Sequence, residues 1–264
     1  LNIQYYLLFR RNLKEPSTFS YYEEKTLYHL GSESSLSFRE SPKSFARKLS
    51  SYDIVSFDIF DTLVFRLFSS PADVFYLIGM ELDYPDFRQL RIESEAYARR
   101  KKYKKYGTYE VTLEEIWNQM EKFSGIPKSA GMRIELEWEK KCCYANPYMM
   151  GVVRELQKYH KTIIAVSDMY LTEHTVRNLL SSLGYPAFSR YFVSCDYQKS
   201  KHDGSLYEEV KNFFGSSLSY VHIGDNKDSD FHQAICHHIH AILYPNINHT
   251  GNVYRPEDMS VVIG

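Results

Sequence analysis

The stretch VSFDIFDTLVF, residues 55–65, places two carboxylates at the end of an apolar run. Asp58 follows the run directly, and Asp61 comes three residues later. A carboxylate at the end of a buried strand is costly unless a cation or a substrate compensates its charge. Phe60 stands between the two aspartates. The stretch therefore predicts a charged site at a strand end, with an aromatic residue inside it.

Five short apolar runs rich in β-branched and aromatic residues recur along the chain, at 53–57, 162–166, 190–194, 219–223 and 240–244. Amphipathic helical stretches separate most of them, at 147–160, 172–183, 203–214 and 228–237. This alternation predicts βαβ units and a parallel α/β sheet of the Rossmann-like type. Ligands bind outside the carboxyl ends of the strands in such sheets. Ser167, Asp168 and Asp225 follow predicted strands there, as Asp58 does.

The segment 66–148 departs from the alternation, because helical periodicity runs throughout it, including 71–82, 87–107, 112–125 and 128–143. A helical block between the first two strands predicts an inserted cap over the site. The α/β core then comprises 49–65 and 149–264. Residues 1–48 are polar and without a clear period, and they are interpreted as an N-terminal extension with no assigned structure.

Composition excludes several classes of protein. The 264 residues include 32 basic and 33 acidic ones, so charge predicts neither a nucleic-acid nor a membrane partner. No apolar run approaches the length of a transmembrane helix. Four cysteines without a CxxC pattern suggest neither a zinc site nor a disulfide framework, and a reducing cytoplasm is the simplest expectation. The sequence carries no signal for an oligomeric state.

Four side chains in chain order have the chemistry of phosphoryl transfer. Asp58 is a candidate nucleophile, and Ser167 is a donor for an anionic oxygen. Lys201, in SKHDGSLY, is a candidate cation, and Asp225, in GDNKDSD, is a candidate Mg²⁺ ligand. A metal and a lysine together neutralise a phosphate so that an anionic carboxylate can approach it. Lys199 competes with Lys201, which is preferred because the segment after it leads straight into a helix.

The order and spacing of FDIFDTL, VSD, Lys201 and GDNKDSD resemble the haloacid dehalogenase (HAD) superfamily over residues from about 50 to 244. The helical insert resembles that superfamily's C1 cap. SFDIFDTLV, SDMYL and SKHDGSLY look more narrowly like a predicted-hydrolase branch that is often linked to bacterial surface-polysaccharide genes.

The resemblance implies a role for each matching residue. Asp58 would attack phosphorus and form an aspartyl phosphate, while Ser167 and Lys201 hold the phosphoryl oxygens. Mg²⁺ would bind Asp58, Asp225 and the backbone carbonyl of Phe60. Asp230 would support the ion through water or from behind its direct ligands.

Phe60 departs from the phosphatase pattern. Phosphatases of the superfamily carry a second aspartate at this position, which protonates the leaving oxygen, whereas its dehalogenases carry an aromatic residue and displace halide. Asp61, a residue of the cap or water could replace that acid, or the protein is not a phosphatase. Asp61 could equally brace the turn by bonding backbone N–H groups. Three hypotheses follow: a Mg²⁺-dependent phosphatase for a sugar or polyol phosphate, a carbon–halogen hydrolase, or a weakly catalytic binding module in polysaccharide synthesis.

Overall fold

The computed structural model describes residues 40–68 and 70–245. The strands are β1 Ile54–Phe57, β2 Val64–Arg66, β3 Cys143–Ala145, β4 Thr162–Ser167, β5 Arg190–Val193, β6 Tyr220–Gly224 and β7 His240–Leu243. The helices are α1 Pro42–Leu49, α2 Val74–Glu81, α3 Phe87–Tyr106, α4 Leu113–Ser124, α5 Lys128–Cys142, α6 Pro147–Lys158, α7 Glu173–Ser182, α8 Ser194–Tyr197, α9 Ser205–Phe214 and α10 Gln233–Cys236. No helix among these is both long and apolar enough to cross a membrane.

Five strands form one parallel sheet in the order β5-β4-β1-β6-β7. All five correspond to predicted runs, so the predicted α/β class with a Rossmann-like parallel sheet is confirmed. β1 is central, and Phe57 at its end lies level with Ala165 of β4 and Ile223 of β6. All four residues of β1 are buried, as expected of a strand covered on both faces. The residue after Phe57 therefore emerges at the middle of the sheet's carboxyl edge.

The helices α2 to α5 lie in the predicted cap segment, and the chain enters and leaves them through a two-stranded antiparallel ribbon. β2 pairs with β3, with Val64 opposite Ala145 and Arg66 opposite Cys143. The sequence analysis missed this ribbon, because two three-residue strands are too short to show alternation. The ribbon spans the predicted start of the cap at residue 66, whereas the domain bounds themselves stay a prediction.

Two further differences concern single elements. Most of the predicted N-terminal extension lies outside the described residues, and its last part forms α1, which begins after the N-cap Ser41 and has Pro42 in its first turn. The predicted helix at 228–237 is a π-helical turn over Lys227–His232 followed by the short α10. Such turns are frequent at functional sites, and this one carries Asp230.

Candidate active site

Asp58 and Lys201 form the centre of the site. The backbone N–H of Asp58 donates to the carbonyl of Ile223 at 2.8 Å, which continues the sheet by one residue and fixes the carboxylate at its edge. Lys201 Nζ donates to Asp58 Oδ1 at 2.5 Å and to Asp230 Oδ1 at 2.6 Å. All three side chains are buried. A lysine shared by two carboxylates is the cation that this charged strand end requires.

One cleft of about 310 Å³ contains every residue predicted for the site. Its lining includes Ser167 at the end of β4, Asp225 after β6, and both Phe60 and Asp61. Lys201 reaches the cleft, whereas Lys199 pairs with Glu209 at 2.5 Å and does not line it. The structure thus brings the predicted residues together, while their chemical roles stay predictions.

Asp168 positions the loop that carries Lys201. Its carboxylate accepts the backbone N–H of Lys201 at 2.8 and 3.0 Å and that of His202 at 3.2 Å. The N-cap of α7 is Thr172, so Asp168 does not cap the following helix. Asp168 instead joins the loop after β4 to the Lys201 loop.

Asp230 is held by Asn226 and His222 in addition to Lys201. The backbone N–H of Asn226 donates to its Oδ2 at 3.0 Å, and His222 Nε2 lies 3.3 Å from its Oδ1. His222 Nδ1 in turn lies 2.6 Å from Ser56 Oγ of the neighbouring strand. Gly224 gives Asp230 its room, because a Cβ atom there would lie 2.3 Å from Asp230 Cγ. Sequence analysis missed Ser56 and His222; the only signal was a polar residue inside each buried run.

The cleft contains more acidic than basic side chains. Carboxylate oxygens of Asp58, Asp225 and Asp230 lie within 4.8 Å of one another. Burial raises the pKa of Asp58 well above its usual value, against the pull of Lys201 and with the help of the other two carboxylates. Burial also lowers the pKa of His222, so this ring adds no charge at neutral pH. With all three carboxylates ionised, this cluster and Lys201 together carry a formal charge of −2.

This set of donors fits a hard divalent cation. Mg²⁺ prefers carboxylate and carbonyl oxygens, and its charge would offset the cluster's formal charge. Asp225 is further oriented by Thr62, whose Oγ1 donates to its Oδ1 at 3.4 Å. The carbonyl of Phe60 as a ligand stays a prediction.

Asp61 occupies a strained turn beside the cleft. Its φ is 60°, in the left-handed region where Asp and Asn are tolerated better than most residues other than glycine. Its backbone N–H donates to the carbonyl of Val64 at 2.7 Å. This conformation supports the interpretation that Asp61 braces the turn. Asp61 also lines the cleft, so its role as a displaced general acid stays a hypothesis.

Arg66 is a cleft residue that sequence analysis did not single out. Its guanidinium carbon lies 3.8 Å from the centroid of the Phe60 ring. Arg66 Nε and Nη2 contact Glu139 Oε1 at 3.1 and 3.0 Å. The only signal in the sequence was an arginine at the end of an apolar run.

No protein-family model matches this chain, and no curated protein matches it either. Solved structures do. A 2-haloacid dehalogenase from Pseudomonas syringae pv. Tomato DC3000 aligns over 77% of this chain and 89% of its own, with 17% identity and a TM-score of 0.55. YfnB of Bacillus subtilis, a candidate HAD hydrolase crystallised with magnesium, aligns over 80% and 96%, with 13% identity and a TM-score of 0.52.

The third example is a HAD family enzyme, bt-2542, from Bacteroides thetaiotaomicron. It aligns over 81% of this chain and 98% of its own, with 11% identity and a TM-score of 0.51. Identities this low establish similarity of fold, not of activity. With its parallel five-stranded sheet and a cleft at the carboxyl edge, the protein has the fold of the haloacid dehalogenase superfamily.

Proposed function

We propose that this protein is a Mg²⁺-dependent phosphatase of the HAD superfamily that hydrolyses a small phosphorylated metabolite through an aspartyl phosphate on Asp58. One observation carries the proposal: Lys201 bonds both Asp58 and Asp230 in a cleft that also contains Ser167 and Asp225. A dehalogenase has no need of this acidic cluster, whereas a phosphate brought against an anionic nucleophile needs cations.

Each residue then has a defined task. Asp58, Asp225 and Asp230 would hold Mg²⁺, Asp230 directly or through water. The ion supplies positive charge against the phosphoryl oxygens. Asp58 attacks phosphorus with its carboxylate, and Lys201 moves from pairing carboxylates to holding a phosphoryl oxygen. Ser167 donates a hydrogen bond from its hydroxyl group to a second phosphoryl oxygen. Burial of Asp58 and Lys201 strengthens these interactions by excluding water.

The narrower assignments belong to the same proposal. The expected substrate is a sugar or polyol phosphate, and the expected location is the cytoplasm. The expected subfamily is the branch linked to surface-polysaccharide genes. The motifs SFDIFDTLV, SDMYL and SKHDGSLY support the last of these.

A panel of phosphate esters, assayed with Mg²⁺ and with a chelator, tests the activity. Phosphate release should require the metal and disappear in Asp58→Asn, whose amide is nearly isosteric but a poor nucleophile. Asp228→Asn is the matched control, because Asp228 is exposed in the same loop region and does not line the cleft. Metal-independent release, or release that survives in Asp58→Asn, would contradict the proposal.

Carbon–halogen hydrolysis is the second candidate, and Phe60 favours it. An aromatic residue at this position suits displacement of halide, which needs no proton. Chloride release from 2-chloropropionate without added metal measures this activity. Such release, together with a lack of phosphatase activity, would identify the protein as a carbon–halogen hydrolase.

A further inference from the structure

The position two residues after Asp58 has no proton donor, but it does have a cation beside it. Phe60 fills the position with a buried ring, and the Arg66 guanidinium stacks over that ring at 3.8 Å. Arg66 comes from β2, at the entry to the helical insert, and its side chain lines the same cleft as Asp58 and Lys201. The reaction centre therefore has a second cation on the side where a standard acid is missing.

Arg66 also lies at the boundary between two cavities. A second cavity of about 380 Å³ shares Arg66, Pro71 and Tyr170 with the reaction cleft and continues between Phe75 of α2 and Arg99 of α3. In the proposed reaction, Lys201 and Ser167 bind the phosphoryl group at the sheet edge. The leaving group of the substrate then extends towards the insert and passes Arg66.

The chemistry of an arginine differs from that of the missing aspartate. Burial opposes the charged form of Arg66, but Glu139, together with smaller contributions from Cys143, Tyr170 and Asp61, more than offsets this and raises the pKa of Arg66 above its ordinary value. The guanidinium therefore stays charged and gives up no proton. It can donate hydrogen bonds to an oxygen on which negative charge develops, and Glu139 holds it in orientation for that task.

We propose that Arg66 binds the leaving oxygen as an anion, so that the site selects phosphorylated metabolites with an acidic leaving group: acyl phosphates, enol phosphates or phosphoric anhydrides. The inference rests on the phosphatase function proposed above, and it replaces the sugar or polyol phosphate expected there with these phosphates of acidic leaving groups as the substrate class. Alkyl phosphates, including simple sugar and polyol monoesters, are poor substrates, because their alkoxides are too basic to leave without a proton.

The bond changes need no acid. Asp58 Oδ forms a bond to phosphorus, and the bond from phosphorus to the leaving oxygen breaks. Its electron pair stays on that oxygen, which departs as a carboxylate, enolate or phosphate anion bound to Arg66. Water then attacks the aspartyl phosphate, the bond between phosphorus and the Asp58 oxygen breaks, and both protons of the water leave on dihydrogen phosphate.

The test is a series of aryl phosphates of graded leaving-group pKa, with acetyl phosphate and glycerol phosphate as the acidic and basic extremes. For the wild-type protein we expect acetyl phosphate to be hydrolysed at least about 10²-fold faster than glycerol phosphate, measured as kcat/KM. In Arg66→Gln the loss should grow with the basicity of the leaving group, to about 10²–10³-fold for unsubstituted phenyl phosphate. A plot of log kcat/KM against leaving-group pKa therefore becomes steeper.

Matched variants separate this role from a structural one. Arg66→Lys keeps the charge and should recover part of the loss, whereas Arg133→Gln removes an exposed arginine that pairs with Glu137 and should change nothing. An equal loss on all substrates in Arg66→Gln would overturn the inference. So would faster hydrolysis of glycerol phosphate than of acetyl phosphate by the wild-type protein, which tests it even if Arg66→Gln does not fold. Failure to hydrolyse any phosphate would instead overturn the proposed function.

Discussion

The candidate active-site cleft and the interior of the helical insert both bury charged side chains, but they differ in how the charges are compensated. In the insert, Arg91 is fully buried and contacts Glu135 Oε1 at 2.8 Å and Glu95 Oε2 at 2.9 Å. Arg99 pairs with the other oxygen of Glu95 at 2.7 Å. Trp117 Nε1 donates to Glu135 Oε2 at 2.7 Å. Two guanidinium groups thus meet two carboxylates, and no charge is left over.

The cleft has the opposite property. Five aspartates line it against the two cations Lys201 and Arg66, and the cluster of Asp58, Asp225 and Asp230 has only Lys201 among its carboxylates. Burial also works against ionisation of Asp58. A buried network with balanced charges needs no bound ion. A buried network with excess negative charge is stable only when a cation or a substrate compensates that charge. The comparison predicts that changes in the cleft affect activity and metal binding, and that changes in the insert network affect stability.

The largest effect is expected for Asp58→Asn. Loss of the nucleophile should reduce turnover by more than about 10³-fold. The free energy of unfolding should stay the same or rise, because the amide removes one of three crowded carboxylates. Phosphate release and urea unfolding measure the two quantities. A variant that unfolds far more easily would mean that the Lys201–Asp58 pair is structural, like the network of the insert.

Arg91→Met sharpens the comparison from the other side. It leaves Glu135 and Glu95 without their buried partner, which should cost about 3–5 kcal/mol of unfolding free energy. Urea denaturation followed by tryptophan fluorescence measures it. Arg133→Met is the control, because the Arg133–Glu137 pair is exposed and such pairs contribute about 0.3–0.5 kcal/mol. Equal effects of the two changes would show that the buried network contributes nothing special.

Sequence patterns predicted the parts of this molecule that rest on local chemistry. Each strand of the parallel sheet was predicted from an apolar run, and polar residues after three of the runs marked the candidate functional edge of the sheet. Asp58, Ser167 and Asp225 were found in this way, because parallel strands place their carboxyl ends together whatever lies between them.

The rest depended on contacts between distant residues. His222 and Ser56 meet across two strands and hold Asp230, and nothing in either run specifies that register. Arg66 acquires its position from a three-residue strand, and Glu139, its partner, follows 73 positions later. No local pattern predicts such a pair. The negative excess of the Asp58, Asp225 and Asp230 cluster was likewise visible only once the fold had placed these carboxylates around Lys201.

Mg²⁺ should stabilise the cleft and do so more strongly at higher pH. Burial raises the pKa of Asp58 in the folded protein above its unfolded value. Without metal, the stability contributed by this group is therefore present at low pH and lost as the pH rises through the raised pKa. Mg²⁺ removes that loss. At a concentration of about 100 Kd it should add about 2.7 kcal/mol, or roughly 5–10 °C in Tm.

Thermal unfolding with and without Mg²⁺, at about pH 5 and about pH 8, measures this difference. The increment should be larger at the higher pH and absent in Asp225→Ala. Asp228→Ala, an exposed aspartate outside the cleft, serves as the control and should respond as the wild-type protein does. An increment that survives in Asp225→Ala would place the ion elsewhere.

The smallest effect is expected at Asp61, where the comparison is between a brace and an acid. Glycine adopts a φ of 60° without strain, so Asp61→Gly should change the unfolding free energy by no more than about 1 kcal/mol, whereas Asp61→Val should cost about 1–3 kcal/mol. Asp61→Asn keeps a residue tolerated in this conformation, and we expect it to lower stability slightly and to reduce turnover of all substrates by the same small factor. A general acid would behave otherwise, since its loss costs about 10²–10⁴-fold on basic leaving groups and little on acidic ones. The rates of Asp61→Asn on glycerol phosphate and on acetyl phosphate therefore distinguish a brace from an acid. A selective loss on glycerol phosphate would show that Asp61 is the displaced acid. Arg66 would then lose its proposed role as the group that replaces the missing acid.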